Sequence, residues 1–182
     1  RDELQNVVKW VRKGGPVDAL GFTTTKSGKP SAYGLLHAAA GNGHLEMVRE
    51  LLKRGASVDL PNSLGVTALM AAAYYGHPSI LFVLLQHSAD PDLQDVNSVT
   101  ALMKAALEGH EACVQALLRA KANPDLQGNN GLTALMVPAI RGHVACVQAL
   151  LRAKANIELL DKDGSTALQW AEAMGHTATA QL

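Results

Sequence analysis

The chain has 182 residues, with 16 Lys+Arg balanced by 16 Asp+Glu, 48% hydrophobic residues and only 4% aromatic ones. So much apolar content without net charge excludes a disordered chain. The charge balance argues against a nucleic-acid binder, which needs a basic field, and no apolar run approaches the roughly 20 residues that cross a bilayer.

Much of the apolar fraction is carried by 29 alanines, so the expected core is made of closely packed helices in one domain. The zero total hides a polarity: residues 1–55 hold nine Lys/Arg against five Asp/Glu, and residues 56–182 hold seven against eleven. Two cysteines, no Asn-x-Ser/Thr site and no secretory leader pattern give no sign of a secreted, disulfide-stapled protein. An intracellular, cytoplasmic setting is expected.

A register of 33 residues organises the elements. Thr67, Thr100, Thr133 and Thr166 are each followed by Ala-Leu, and Gly-His pairs fall at 43/44, 76/77, 109/110, 142/143 and 175/176. Paired leucines at 51/52, 84/85, 117/118 and 150/151 and the alanines at 56, 89, 122 and 155 keep the same period.

In chain order, residues 1–18 align with the second helix of such a unit: Leu4, Val7, Val8 and Val11 match Leu45, Val48, Arg49 and Leu52. Residues 19–33 carry an inserted loop around Thr23, Thr24, Thr25, Lys26, Ser27, Gly28, Lys29 and Pro30. Full repeats then span 34–66, 67–99, 100–132 and 133–165, and a partial one spans 166–182.

Within each repeat, apolar positions such as Leu69, Ala72 and Ala73, then Ile80, Leu81, Leu84 and Leu85, are spaced for one face of each of two short helices. Gly76 permits a left-handed turn between them, Thr67 sits at a helix N-cap, and Pro61 to Gly65 form a hairpin-like finger. Such a unit buries its apolar face only by stacking on neighbours. Neither end shows a polar capping helix, so the sequence is expected to be a fragment of a longer array or to have lost its ends.

Residues 34–182 resemble an array of ankyrin repeats, with the pattern Gly-x-Thr-Pro-Leu-His-x-Ala-Ala, Gly-His, Leu-Leu, Gly-Ala. Ala replaces the usual Pro at 68, 101, 134 and 167, Met replaces the usual His at 70, 103 and 136, and Ser98 replaces a finger-tip Gly. The resemblance implies an all-α solenoid of stacked helix-turn-helix pairs with β-hairpin-like finger loops.

The candidate chemistry is thin. Lys26 to Pro30 fails as a phosphate loop, because Thr23 and Pro30 stand where Gly and Ser/Thr are needed. Histidines one repeat apart are separated by roughly 8–10 Å, too far to share a metal ion, so six of the seven are expected to be structural and His87 an exposed helix-end residue. Cys113 and Cys146 lie one period apart inside identical stretches and read as small buried helix residues. No catalytic residue, metal or small-molecule cofactor is expected, and the chain is read as a non-enzyme.

The resemblance implies that a partner is recognised on the concave surface, lined by finger tips and by the ends of the first helices. That surface carries Tyr74, Tyr75, Leu107, Glu108, Ile140, Arg141 and Met174, with Leu64, Val66, Val99 and Leu132 on the fingers. Tyrosine is favoured at binding hot spots, and the chain has only seven aromatics. Lys104 and Glu108 are spaced i, i+4; they form either a helix-surface ion pair or a polar centre read by the partner. Pro138 is expected to distort its helix.

The expected function is a non-catalytic scaffold that binds a peptide segment or folded domain of another protein, without nucleic acid and without membrane insertion. The alternative is a regulatory segment of a larger enzyme or channel that packs against its own chain.

Overall fold

The computed structural model describes residues 30–182, residues 20–24, and Lys13 and Asp18. The expected half-repeat helix through Leu4 to Val11 and the loop residues Lys26 to Lys29 lie outside the described residues.

Two strands, β1 (Leu20–Thr24) and β2 (Pro30–Gly34), pair antiparallel with Leu20 opposite Gly34 and Thr24 opposite Pro30. The insert, expected as a finger loop, is a hairpin in its outer parts. The β-forming run Phe22-Thr23-Thr24 favours this extended pairing, and weighing only the turn chemistry of the following residues misses it.

From Gly34 onward the chain forms helix pairs. They are α1 (Leu35–Gly41) with α2 (Leu45–Lys53), α3 (Ala68–Tyr74) with α4 (Pro78–Gln86), and α5 (Ala101–Leu107) with α6 (Glu111–Arg119). Two more follow, α7 (Met136–Arg141) with α8 (Val144–Arg152) and α9 (Ala167–Ala173) with the short α10 (Thr177–Ala180). First helices stack on first helices and second on second. The solenoid read from the sequence is the fold.

Alanine explains how the inner row packs. Ala72, Ala73, Ala105 and Ala106 are fully buried between successive first helices, where larger side chains would hold the backbones apart. Leu81, Leu84, Leu117 and Leu150 fill the space between the two rows. The core is thus a continuous strip running along the stack.

The first helix of the first pair opens on Gly34, and the four that follow each carry a threonine at their start. The hydroxyls of Thr67, Thr100, Thr133 and Thr166 accept the amides of Met70, Met103, Met136 and Gln169, all at 3.3 Å. Gln169 returns the bond to the Thr166 amide, completing a capping box. The first helix then closes on a left-handed glycine, such as Gly76 at φ +73°.

The histidine after that glycine reaches back one repeat. His77 Nε2 donates to the Gly41 carbonyl at 3.1 Å, His110 to Tyr74 at 3.1 Å, His143 to Leu107 at 3.1 Å and His176 to Ile140 at 3.0 Å. A Cβ added to Gly76 would lie 2.7 Å from the His110 ring, and one on Gly142 would lie 2.7 Å from His176. Glycine is required there twice over, for its backbone conformation and for the approach of the next repeat's imidazole.

Pro138 distorts its helix as expected. Residues 134 and 135 form a turn, and α7 begins at Met136, although Thr133 still caps the Met136 amide. With the start displaced, the proline falls in the first turn, where a missing N–H costs little.

Candidate functional site

Three elements meet along the inner edge: the finger loops, the first helices and the turns that carry Gly-His. In the fingers, Asn62 Oδ1 accepts the Leu64 and Val66 amides at 2.9 and 3.0 Å, Asp95 Oδ1 those of Asn97 and Val99 at 2.9 and 3.0 Å, and Asp161 Oδ1 those of Asp163 and Ser165 at 3.0 and 2.8 Å. Neighbouring fingers are joined by backbone bonds from Val96 N to Leu64 O, Asn129 N to Asn97 O and Lys162 N to Asn130 O, at 3.0–3.1 Å.

A carboxylate ladder runs below them. Asp59 accepts the Asp90 amide, Asp92 the Asn123 amide and Asp125 the Asn156 amide, each one repeat on. Partial desolvation raises Asp59, with the Asp90 charge adding to it against the Asp90 amide.

Lys104 does not pair with Glu108. Its Nζ lies 2.8 Å from Asp95 Oδ2, in an ion pair 17% and 5% exposed on its two sides. The finger carboxylate sits over the helix at short range, whereas the i+4 partner stands at the exposed helix end. Desolvation pulls the Asp95 carboxyl upward, but Lys104 and the Val99 and Asn97 amides together hold it below the usual range. Two repeats on, Trp170 occupies the same place as Lys104, and its indole N–H donates to Asp161 Oδ2 at 2.7 Å. The Ser165 amide first, then Trp170 and the Asp163 and Gly164 amides, outweigh desolvation and hold Asp161 low as well.

The candidate residues separate into two groups. Tyr74, Tyr75, Met174 and Leu64 are 39%, 59%, 48% and 44% exposed, and Glu108 and Arg141 are also exposed. Leu107 and Ile140 are half-buried beside them. Val66, Val99 and Leu132 turn half-buried side chains onto the core, and Lys104 is spent on Asp95. These four belong to the framework more than to a free surface.

The two tyrosines are held in a defined geometry. Their rings meet edge to face at 90° with centroids 5.0 Å apart. Tyr75 lies across Gly41 of the preceding repeat, where an added Cβ would stand 3.3 Å from its Cδ2. The Tyr74 carbonyl is taken by His110.

The other polar candidates are structural. His37 donates to the Val66 carbonyl at 2.7 Å, and burial lowers its pKa against that bond. His87 is exposed and bonds its own helix at Val83. Cys113 and Cys146 are free, buried thiols pushed up to about 11 by desolvation, so both are protonated and unreactive near neutrality. Among the described residues no group of His, Cys, Asp and Glu is placed to hold a metal ion, and no helix is long and apolar enough to cross a membrane.

Sequence reasoning missed the finger carboxylates as organisers of the site. Their signal was available, since Asn62, Asp95 and Asp161 stand in one register. It also passed over Phe82, 59% exposed on α4.

The family model described as "Ankyrin repeats (3 copies)" matches residues 5–95 and 102–182, and one described as "Ankyrin repeats (many copies)" matches residues 83–118. The chain belongs to the ankyrin-repeat family. Ankyrin repeats are in general protein-interaction modules and are typically non-catalytic. No curated protein sequence matches the chain.

Proposed function

We propose that residues 1–182 act as one non-catalytic interaction domain that binds a peptide segment or a folded domain of another protein along the inner edge. The observation that carries this reading is the row of side chains preceding successive Gly-His pairs: exposed Tyr74 and Tyr75, half-buried Leu107 and Ile140, and exposed Met174. Apolar groups in consecutive repeats form one stripe, and contiguous stripes of that kind mark interaction surfaces. Two rigid tyrosines lose little rotamer freedom on binding and supply a large contact area.

Affinity capture with the wild-type array beside Tyr75→Ala and Ile140→Ala tests the stripe. Both variants are expected to fold normally and to lose captured partner by about tenfold or more, as hot-spot truncations do. Unchanged capture would remove the inner edge as the binding surface.

A further inference from the structure

The residue just before each Gly-His pair is Asn42, Tyr75, Glu108, Arg141 and Met174 in turn, so two opposite charges occupy neighbouring repeats on the inner edge. Both are exposed, and they are not paired with each other. The ion pairs among the described residues are Arg49–Glu46, Arg54–Glu50 and Lys104–Asp95, and none of them uses Glu108 or Arg141. Lys104, the cation one turn away from Glu108 on α5, is neutralised from the finger side by Asp95 at 2.8 Å.

Tyr74 and Tyr75 lie on the other side of Glu108. The bond from His110 Nε2 to the Tyr74 carbonyl, 3.1 Å long, ties the tyrosine tip to the turn that begins at Glu108. His143 ties the Leu107 carbonyl to the next turn, behind Arg141, at 3.1 Å. These three tips are therefore fixed in sequence, offering aromatic faces and a carboxylate, then a guanidinium.

Resting on the reading that the inner edge binds a polypeptide, we infer that its partner is a segment with a basic side chain seated at Tyr74, Tyr75 and Glu108 and an acidic one facing Arg141. A cation gains from the tyrosine faces and from the Glu108 carboxylate together. An acid gains a planar, two-pronged donor in Arg141. Successive repeats stand roughly 8–10 Å apart, and an extended segment of polyproline-II form advances about 3.1 Å per residue with every third side chain on one face, so the two partner charges stand three positions apart.

Three fluorescein-labelled dodecapeptides of extended design test this against the full chain by anisotropy. They share their apolar residues and carry Arg and Glu, Arg and Arg, or Glu and Glu at the two charged positions. The wild type is expected to bind the Arg/Glu peptide about fivefold more tightly than the others, the ratio one exposed charge contact supports. Glu108→Lys shifts the preference to the Glu/Glu peptide, and Arg141→Glu shifts it to the Arg/Arg peptide.

If Tyr75→Ala weakens binding but neither charge reversal moves the preference, the charge order is overturned while the inner edge remains the binding surface. If no peptide binds, the charge order is overturned, and if Tyr75→Ala also leaves partner capture unchanged, the inner-edge reading fails with it.

Discussion

His110 does two jobs that a sequence position alone does not reveal. Its imidazole occupies the space left by the missing side chain of Gly76, and its N–H satisfies the Tyr74 carbonyl. Replacing it with alanine leaves that carbonyl without its donor and opens a gap between repeats, so His110→Ala should lower unfolding free energy by about 1–2 kcal/mol in urea titration. An unchanged midpoint would mean that the ladder is ornamental. The repetition of Gly-His was legible in the sequence, and so was its structural role. The identity of the acceptor was not, because a bond spanning 36 positions depends on how closely two backbones pack. Lys104 shows the same limit from the other direction. Helical spacing nominated Glu108, but the partner is Asp95, brought near by the folding back of a finger.

At the scale of the element, the threonine-capped first helix is read almost completely from its residues, and Pro138 marks the place where it departs. The turn at residues 134 and 135 replaces the first turn of helix found in α3, α5 and α9. Restoring an amide with Pro138→Ala should let α7 begin at Ala134 and raise stability by about 1–2 kcal/mol, the gain being reduced by the greater freedom of the unfolded chain. Amide exchange protection at position 138, whose restored N–H bonds the Ala134 carbonyl in the extended helix, checks the extension, and an unprotected amide there would show that another constraint displaces the start. The hairpin of β1 and β2 was the least legible element. Its strands are short and its register depends on the pairing itself, with Phe22 opposite Ala32, and nothing in a single strand's sequence specifies that. The candidate surface was legible only in part for a related reason. Periodicity places Val66, Val99 and Leu132 on fingers, but whether such a residue faces outward or onto the core depends on how the finger folds over its helix.

For the whole molecule, the buried polar groups set the response to acid. Asp95 and Asp161 are held below the ordinary carboxylate value of 3.8, so the native state gives up these protons more readily than the unfolded chain. Their stabilisation is present above that value and is lost as pH falls through the lowered ones. His37 follows the same sign in a higher window. Burial lowers it from 6.5, so its stabilisation is present above 6.5 and is lost as pH falls through its native value. Thermal melts recorded from pH 7 downward should therefore show two declines, the upper one diminished in His37→Gln and the lower one in Asp161→Asn. Asparagine is a suitable replacement, since Asn62 already accepts finger amides without a charge. A profile of His37→Gln identical to the wild type would remove the histidine from the upper decline.

The stack is fastened joint by joint, and its fasteners are not uniform. Where the other late fingers place Asp95 or Asp161 against the following helix, the finger before α7 has Gly128, which offers no side chain, and opposite it stands Val137 with Pro138 next in line. Under tension applied at its two ends, such an array behaves as springs in series, and the total extension is dominated by the most compliant one. The joint from Gly128 to Arg141 lacks the side-chain tie made at Asp95 and Asp161, and is expected to be softer than those two. Stretching would separate the finger at Gly128 from α7 before it separates those at Asp95 and Asp161 from α5 and α9.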